Sequence, residues 1–171
     1  MGFPSRMALV KRKRAISGLP QGPYTVKNLK NVWEFKFNLK IIQGGLPAKA
    51  RNNGAQLVET PYVLFMDSDM FLLDSNLLTD SIKEMRLHKF DLLTTKVRTT
   101  SGKYNYVFRT FDMIQKISKR ISPFCLGGFM LFRTDTFNEL GGFDEQAQVS
   151  EDYLLSKQVE PKKFKILNIK S

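Results

Sequence analysis

Tyr62-Val63-Leu64-Phe65-Met66-Asp67-Ser68-Asp69 is an apolar run that ends abruptly in two carboxylates spaced i, i+2. Tyr62–Met66 has the length and residue types of a buried strand. Asp67 and Asp69 follow where such a strand leaves its sheet, and ligands of open α/β sheets bind outside the carboxyl ends of the strands. Two acids in that position are costly to bury unless they are paired or bound to a metal. A hard divalent cation, ligated by oxygen and shared with substrate phosphates, fits them. The plainer alternative is that Asp67 caps a turn and Asp69 is solvated.

Outward from this stretch, the pattern alternates strands and helices. Residues 35–42 alternate apolar and polar as a half-buried strand, closed by Gly44-Gly45 and Pro47. Residues 48–58 read as a helix that runs into the strand at 62–66. A helix capped by Asp74 or Ser75 reaches about residue 88, with Leu78, Ile82 and Met85 on its buried face. Leu92–Val97 is the next strand. Residues 112–121 set Met113, Ile114, Ile117 and Ile121 among Lys116, Lys119 and Arg120, a short basic amphipathic helix. Packing on the sheet is its ordinary fate; a membrane surface or an acceptor is the other use. Gly128–Arg133 is strand-like, a short helix begins at Thr134 or Asp135 and stops at Gly141-Gly142, and a helix near 151–159 precedes a strand at 164–169. Alternation of this kind predicts an α/β layer fold.

The 171 residues suit one domain with a sizeable core, and 42% apolar content with 14 Phe excludes a disordered chain. One cysteine, Cys125, excludes a disulfide framework and a cysteine-based zinc site. No apolar run is long enough to span a bilayer. A reducing, cytoplasmic setting is expected from these features, with peripheral contact at a membrane surface as an addition. Net charge is +11, unevenly placed: residues 1–50 hold ten Lys or Arg and one acid, Glu34. The run Lys11-Arg12-Lys13-Arg14 can meet phosphates of nucleic acid or anionic lipid, or remain a solvated arm. Residues 1–34 are therefore read as a basic N-terminal arm or lead-in.

Three further clusters carry possible chemistry. Ala50-Arg51-Asn52-Asn53-Gly54 brings planar, bidentate donors to the helix before the acidic strand. Leu126-Gly127-Gly128-Phe129 and Leu140-Gly141-Gly142-Phe143-Asp144-Glu145 pair glycines where backbone turns tightly or approaches a ligand. Glu151-Asp152 opens a predicted helix, where carboxylates favour the dipole and can also serve as a general base.

In this order and spacing, "AKARNNGAQ", "YVLFMDSDMFLLDSNLL", "GGFMLFRTDTFNELGGFDE" and "SEDYLLSKQV" resemble the family-2-like glycosyltransferases of the GT-A fold. The resemblance runs from about Leu39 to Val159. It implies a GT-A-like (Rossmann-like) mixed sheet flanked by helices. It further implies that Asp67 and Asp69 form the motif that, with Mn²⁺ or Mg²⁺, holds the diphosphate of a nucleotide-sugar donor. By the same resemblance Arg51 and Asn52 stand at nucleotide-contacting positions and Gly127 and Gly128 border the sugar and acceptor pocket. Asp152, with Glu151, then supplies the catalytic base. The acceptor is a hydroxyl of a glycan, a lipid-linked molecule or a protein, and the setting is polysaccharide or glycan biosynthesis. The first two strands of such a domain have no counterpart here, so an N-terminally truncated domain over residues 35–171 is expected.

Rival readings differ in class. A phosphatase of the haloacid-dehalogenase type needs Thr or Val where Phe71 stands, and a nucleotidyltransferase needs a Gly-Ser pair before its acids, which is absent. The remaining alternative is a non-catalytic glycosyltransferase fragment or a basic interaction protein that binds anionic membrane or, less in keeping with a body of net charge only +2, nucleic acid.

Overall fold

The computed structural model describes residues 8–11 in backbone, and residues 42, 45–67, 70, 72, 74–99, 102, 104–147 and 149–168. The expected strand at 35–42 lies outside the described residues except for Ile42, and so does Asp69. Five described strands form one sheet: β1 (Ala8–Lys11), β2 (Tyr62–Met66), β3 (Leu92–Thr95), β4 (Met130–Arg133) and β5 (Phe164–Leu167). Their order across the sheet is β1-β2-β4-β3-β5. Residues 8–11 lie inside the segment read as an arm, and they pair parallel with β2 in the register Ala8 to Val63 through Lys11 to Met66.

The pairing sets the geometry of the site. β4 runs antiparallel to both β2 and β3, and β5 runs parallel to β3. Every described strand except β4 therefore points the same way. The end of β2, the end of β3 and the start of β4 consequently meet at one edge of the sheet, which brings Asp67, Val97 and Gly127-Gly128 to the same rim.

Both faces of the sheet are covered, which is why β2 reads as a continuous apolar run. Side chains alternate across a strand. Val63 and Phe65 accordingly join one cluster with Leu92, Met130, Phe132 and Phe164, while Leu64 and Met66 join the other with Leu93 and Leu131. The first cluster is closed by Ala48 and Ala55 of helix α1 (Pro47–Ala55), by Phe137 of α4 (Thr134–Glu139), by Phe143, and by Leu155 of α5 (Glu151–Ser156). Rings dominate it: Phe65 lies 4.8 Å from Phe137 and 4.9 Å from Phe143, the latter edge to face. The second cluster is closed by Leu77 and Met85 of α2 (Leu77–His88), with Leu78 and Ile82 packed partly buried against it. Pro47 in the first turn of α1 suits a position whose N–H has no helical partner.

Helix α3 (Asn105–Ser118) departs from expectation. It begins seven residues before the helix read at 112–121, and its apolar stripe does not pack on the sheet. The residue it buries is Gln115, 3% exposed, whereas Met113, Ile114 and Ile117 face outward. Three polar contacts hold the inner side. Gln115 Nε2 donates to the Phe124 carbonyl at 2.9 Å, Asp112 pairs with Arg98, and Asn105 Oδ1 accepts from the Thr99 backbone at 3.0 Å.

Candidate active site

The shared rim of the sheet collects side chains that are far apart in sequence. Arg51, on α1, is 3% exposed. A buried guanidinium is stable only when its donors are satisfied and its charge is paired. Arg51 Nη2 donates to Asp67 Oδ1 at 2.9 Å, and Nη1 donates to Glu151 Oε1 at 2.8 Å. The Phe143 ring lies 5.2 Å from the guanidinium carbon, within cation–π range. One guanidinium thus joins the acid at the end of β2 to the acid that opens α5.

Gly127 is part of this joint. A Cβ at position 127 would stand 2.8 Å from Arg51 Nη2 and 3.3 Å from Asp152 Oδ2. The position is thus glycine because the Arg51 and Asp152 side chains pack on its backbone. Gly128 faces the opposite wall, where a Cβ would meet Met70 at 3.1 Å and Val97 at 3.3 Å. Both glycines therefore lie at the rim, each against a different neighbour.

Asp152 lies in the first turn of α5, after Ser150, whose φ of 62° puts a non-glycine residue in the left-handed region. Burial raises the Asp152 pKa above the ordinary carboxylate range, and the neighbouring Glu151 charge adds to the rise. The backbone N–H groups of Tyr153 and Gly127, and the Arg51 charge, pull the other way. The Tyr153 N–H donates to Asp152 Oδ1 at 2.8 Å. Beside it, burial pushes the Cys125 thiol up, so that Cys125 is an inert core group.

Asn52 is placed differently from Arg51. Its Nδ2 donates to the Phe143 carbonyl at 2.9 Å and to Glu145 at 3.0 Å, and its Oδ1 accepts from the Phe143 N–H at 2.9 Å. The amide is committed to holding the Gly141–Glu145 turn, and Gly142, with φ of 76°, packs so closely that a Cβ there would stand 2.8 Å from Asn52 Oδ1. Through Phe143 this turn supports the underside of Arg51.

Asp69 lies outside the described residues. Among the described residues no three metal-capable side chains converge. Magnesium-type cations bind through one or two carboxylates plus waters and substrate phosphates, so a protein-only cage is not what such a site needs. Asp67 gives one oxygen to Arg51, and its side chain keeps 29% of its surface open. Three carboxylates, Asp67, Glu151 and Asp152, surround the single cation of Arg51, which leaves a formal charge of −2. Of these, Asp67, partly open at the end of β2, is the described side chain suited to ligate a divalent cation with waters and substrate phosphates.

The sequence grouped Arg51 with Asp67 by proximity along the chain, but it gave no sign of the ion pair with Glu151, 100 positions away. Nothing in the sequence gives Phe143 a role within its motif or marks Met70 and Val97 as neighbours of Gly128. The only signal for Phe143 was its place directly after Gly141-Gly142.

The model of glycosyl transferase family 2 matches residues 23–141. Glu151 and Asp152 lie beyond that stretch, and it is the contacts with Arg51 and Gly127 that group them with it. Among solved structures, residues 1–349 of S. aureus TarS in complex with UDP-GlcNAc superpose with a TM-score of 0.61 at 22% identity, over 85% of this chain and 44% of that one. The same S. aureus TarS unit in a second crystal structure gives a TM-score of 0.52 at 23% identity, over 74% and 39%. The chain thus spans less than half of these neighbours, and the likeness is one of fold. No curated protein matches by sequence.

Proposed function

The chain belongs to glycosyl transferase family 2, and from that premise we propose that it transfers a sugar from a nucleotide-sugar donor to a hydroxyl acceptor. The observation that carries this reading is the meeting at Arg51 of three sequence-remote motifs: Asp67 at the end of β2, Gly127 before β4, and Glu151 in the first turn of α5. A structural ion pair alone would not require a glycine pressed against the same guanidinium and against Asp152.

In this reading Asp67 and Asp69 hold Mn²⁺ or Mg²⁺ with the donor diphosphate. When bound, the cation stabilises the negative charge that develops on the leaving diphosphate. Arg51 fixes the rotamer of Asp67 and holds Glu151, and with it the start of α5, at the same rim. Asp152 takes the proton from the acceptor hydroxyl as it attacks the anomeric carbon. Its raised pKa serves that task, because a base works best when its pKa approaches the operating pH. Gly127 lets Arg51 and Asp152 pack on its backbone, and with Gly128 it borders the pocket for donor sugar and acceptor. By analogy with the family, the displacement is single and inverting, with Asp152 as its base. UDP-GlcNAc, bound in the S. aureus TarS structure, is the donor to try first.

Calorimetric titration of the chain with UDP-GlcNAc and related nucleotide sugars tests this. Binding is expected in the presence of Mn²⁺, to be lost on chelation, and to be lost in Asp69→Ala. Binding indifferent to both the metal and that substitution overturns the reading.

A further inference from the structure

Helix α3 is amphipathic in the wrong sense for a helix packed on a sheet. Its inner side carries Asn105, Asp112 and Gln115, each held by a polar contact. Its outer side carries Tyr106, Met113, Ile114 and Ile117, and the stripe continues to Ile121, which is 84% exposed. Apolar side chains at this spacing form one face of a helix. Exposed Arg109, Lys116 and Arg120 flank it. The helix has one acid, Asp112, which is turned inward and paired with Arg98. The outward face therefore offers apolar surface, the hydroxyls of Tyr106 and Thr110, and positive charge, with no acid.

We propose that this face of α3 docks on a membrane surface rich in anionic phospholipid. A helix of this length, roughly 21 Å, can lie in the interface plane with its apolar stripe among the acyl chains and its basic flanks at the headgroups. The charge pattern selects this occupant over a second copy of the chain, because two such faces would bring Arg109, Lys116 and Arg120 against their like. No described helix is long and apolar enough to cross a membrane, so attachment through α3 is peripheral. The contact also reaches the candidate site. Phe111 of α3 lies 6.2 Å from Phe124, and Phe124 lies 5.8 Å, edge to face, from Tyr153, the neighbour of Asp152. Docking through α3 holds that helix at the lipid surface, where a lipid-borne acceptor hydroxyl would be found.

The test is flotation of the full chain with phosphatidylcholine vesicles, with and without phosphatidylglycerol. It uses no donor, so its outcome is separate from that of the transferase reading. The wild type is expected to float with the mixed vesicles and not with the neutral ones, and raised salt should weaken the association. Lys116→Gln with Arg120→Gln should weaken partition roughly thirtyfold. Ile117→Asp with Ile121→Asp should abolish it while circular dichroism and thermal melting match the wild type, both positions being exposed. Three results overturn the proposal. The wild type fails to float; the double aspartate variant floats as well as the wild type, which would move the anchor to Lys11–Arg14; or neutral vesicles bind equally.

Discussion

A buried guanidinium is costly to desolvate, and Arg51 offsets that cost with two charged hydrogen bonds and a ring. The consequence is that nothing near it can move independently. Gly127→Ala places a methyl group 2.8 Å from Nη2, so the guanidinium must shift away from its bonds to Asp67 and Glu151. We expect transfer to fall roughly a hundredfold, as misplacement by an ångström can do, and Tm to fall as well, because a buried charge loses its pairing; steady-state kinetics beside a melt checks both. Asp152 makes a second, opposite prediction. Burial raises its pKa in the fold, while in the unfolded chain it has the ordinary carboxylate value. Below that ordinary value both states are protonated and the fold has its full stability. As pH rises through the ordinary value and on to the raised one, the unfolded chain releases its proton first and stability is lost. Asp152→Asn removes this loss. Its Tm should exceed that of the wild type near neutral pH and converge with it in acid, while donor binding persists and transfer is lost. A wild-type Tm equal to that of the variant at every pH contradicts the account.

At the scale of elements, β2 was legible to the residue, because a run buried on both faces has no polar position to blur its ends. Helix α2 was nearly as clear, its 3.6-residue periodicity surviving with Met85 buried. Helix α3 was not. Its first turns read Asn-Tyr-Val-Phe-Arg-Thr-Phe, aromatic and β-branched residues of poor helix propensity, and its sequence does not say which side of the stripe will face inward. The turn after α4 depends on a partner from α1. Asn52 satisfies both the N–H and the carbonyl of Phe143, and Asn52→Ala leaves them without those bonds. The expected cost is about 2–3 kcal/mol, read from urea denaturation, with activity falling because Phe143 underlies Arg51.

For the whole molecule, the alternation of elements implied an α/β sheet, and a mixed sheet flanked by helices is what forms. The segment read as a basic arm contributes β1 at residues 8–11, which the Lys11–Arg14 charge run concealed. The sequence by itself determined which residue types were available for chemistry and that β2 to β5 would be strands, since burial on one face or two leaves a local pattern. It also set Asp67 at the end of β2, because an apolar run cannot continue through a carboxylate. Only the tertiary structure decided that Asp67, Gly127 and Glu151 share one guanidinium, and that α3 turns its apolar stripe outward. The first of these depends on the antiparallel insertion of β4 between β2 and β3, which brings distant strand ends to one rim, and the second on the polar contacts of Asn105, Asp112 and Gln115. Pairing of that kind is set by long-range contacts, and no local pattern of residues encodes it.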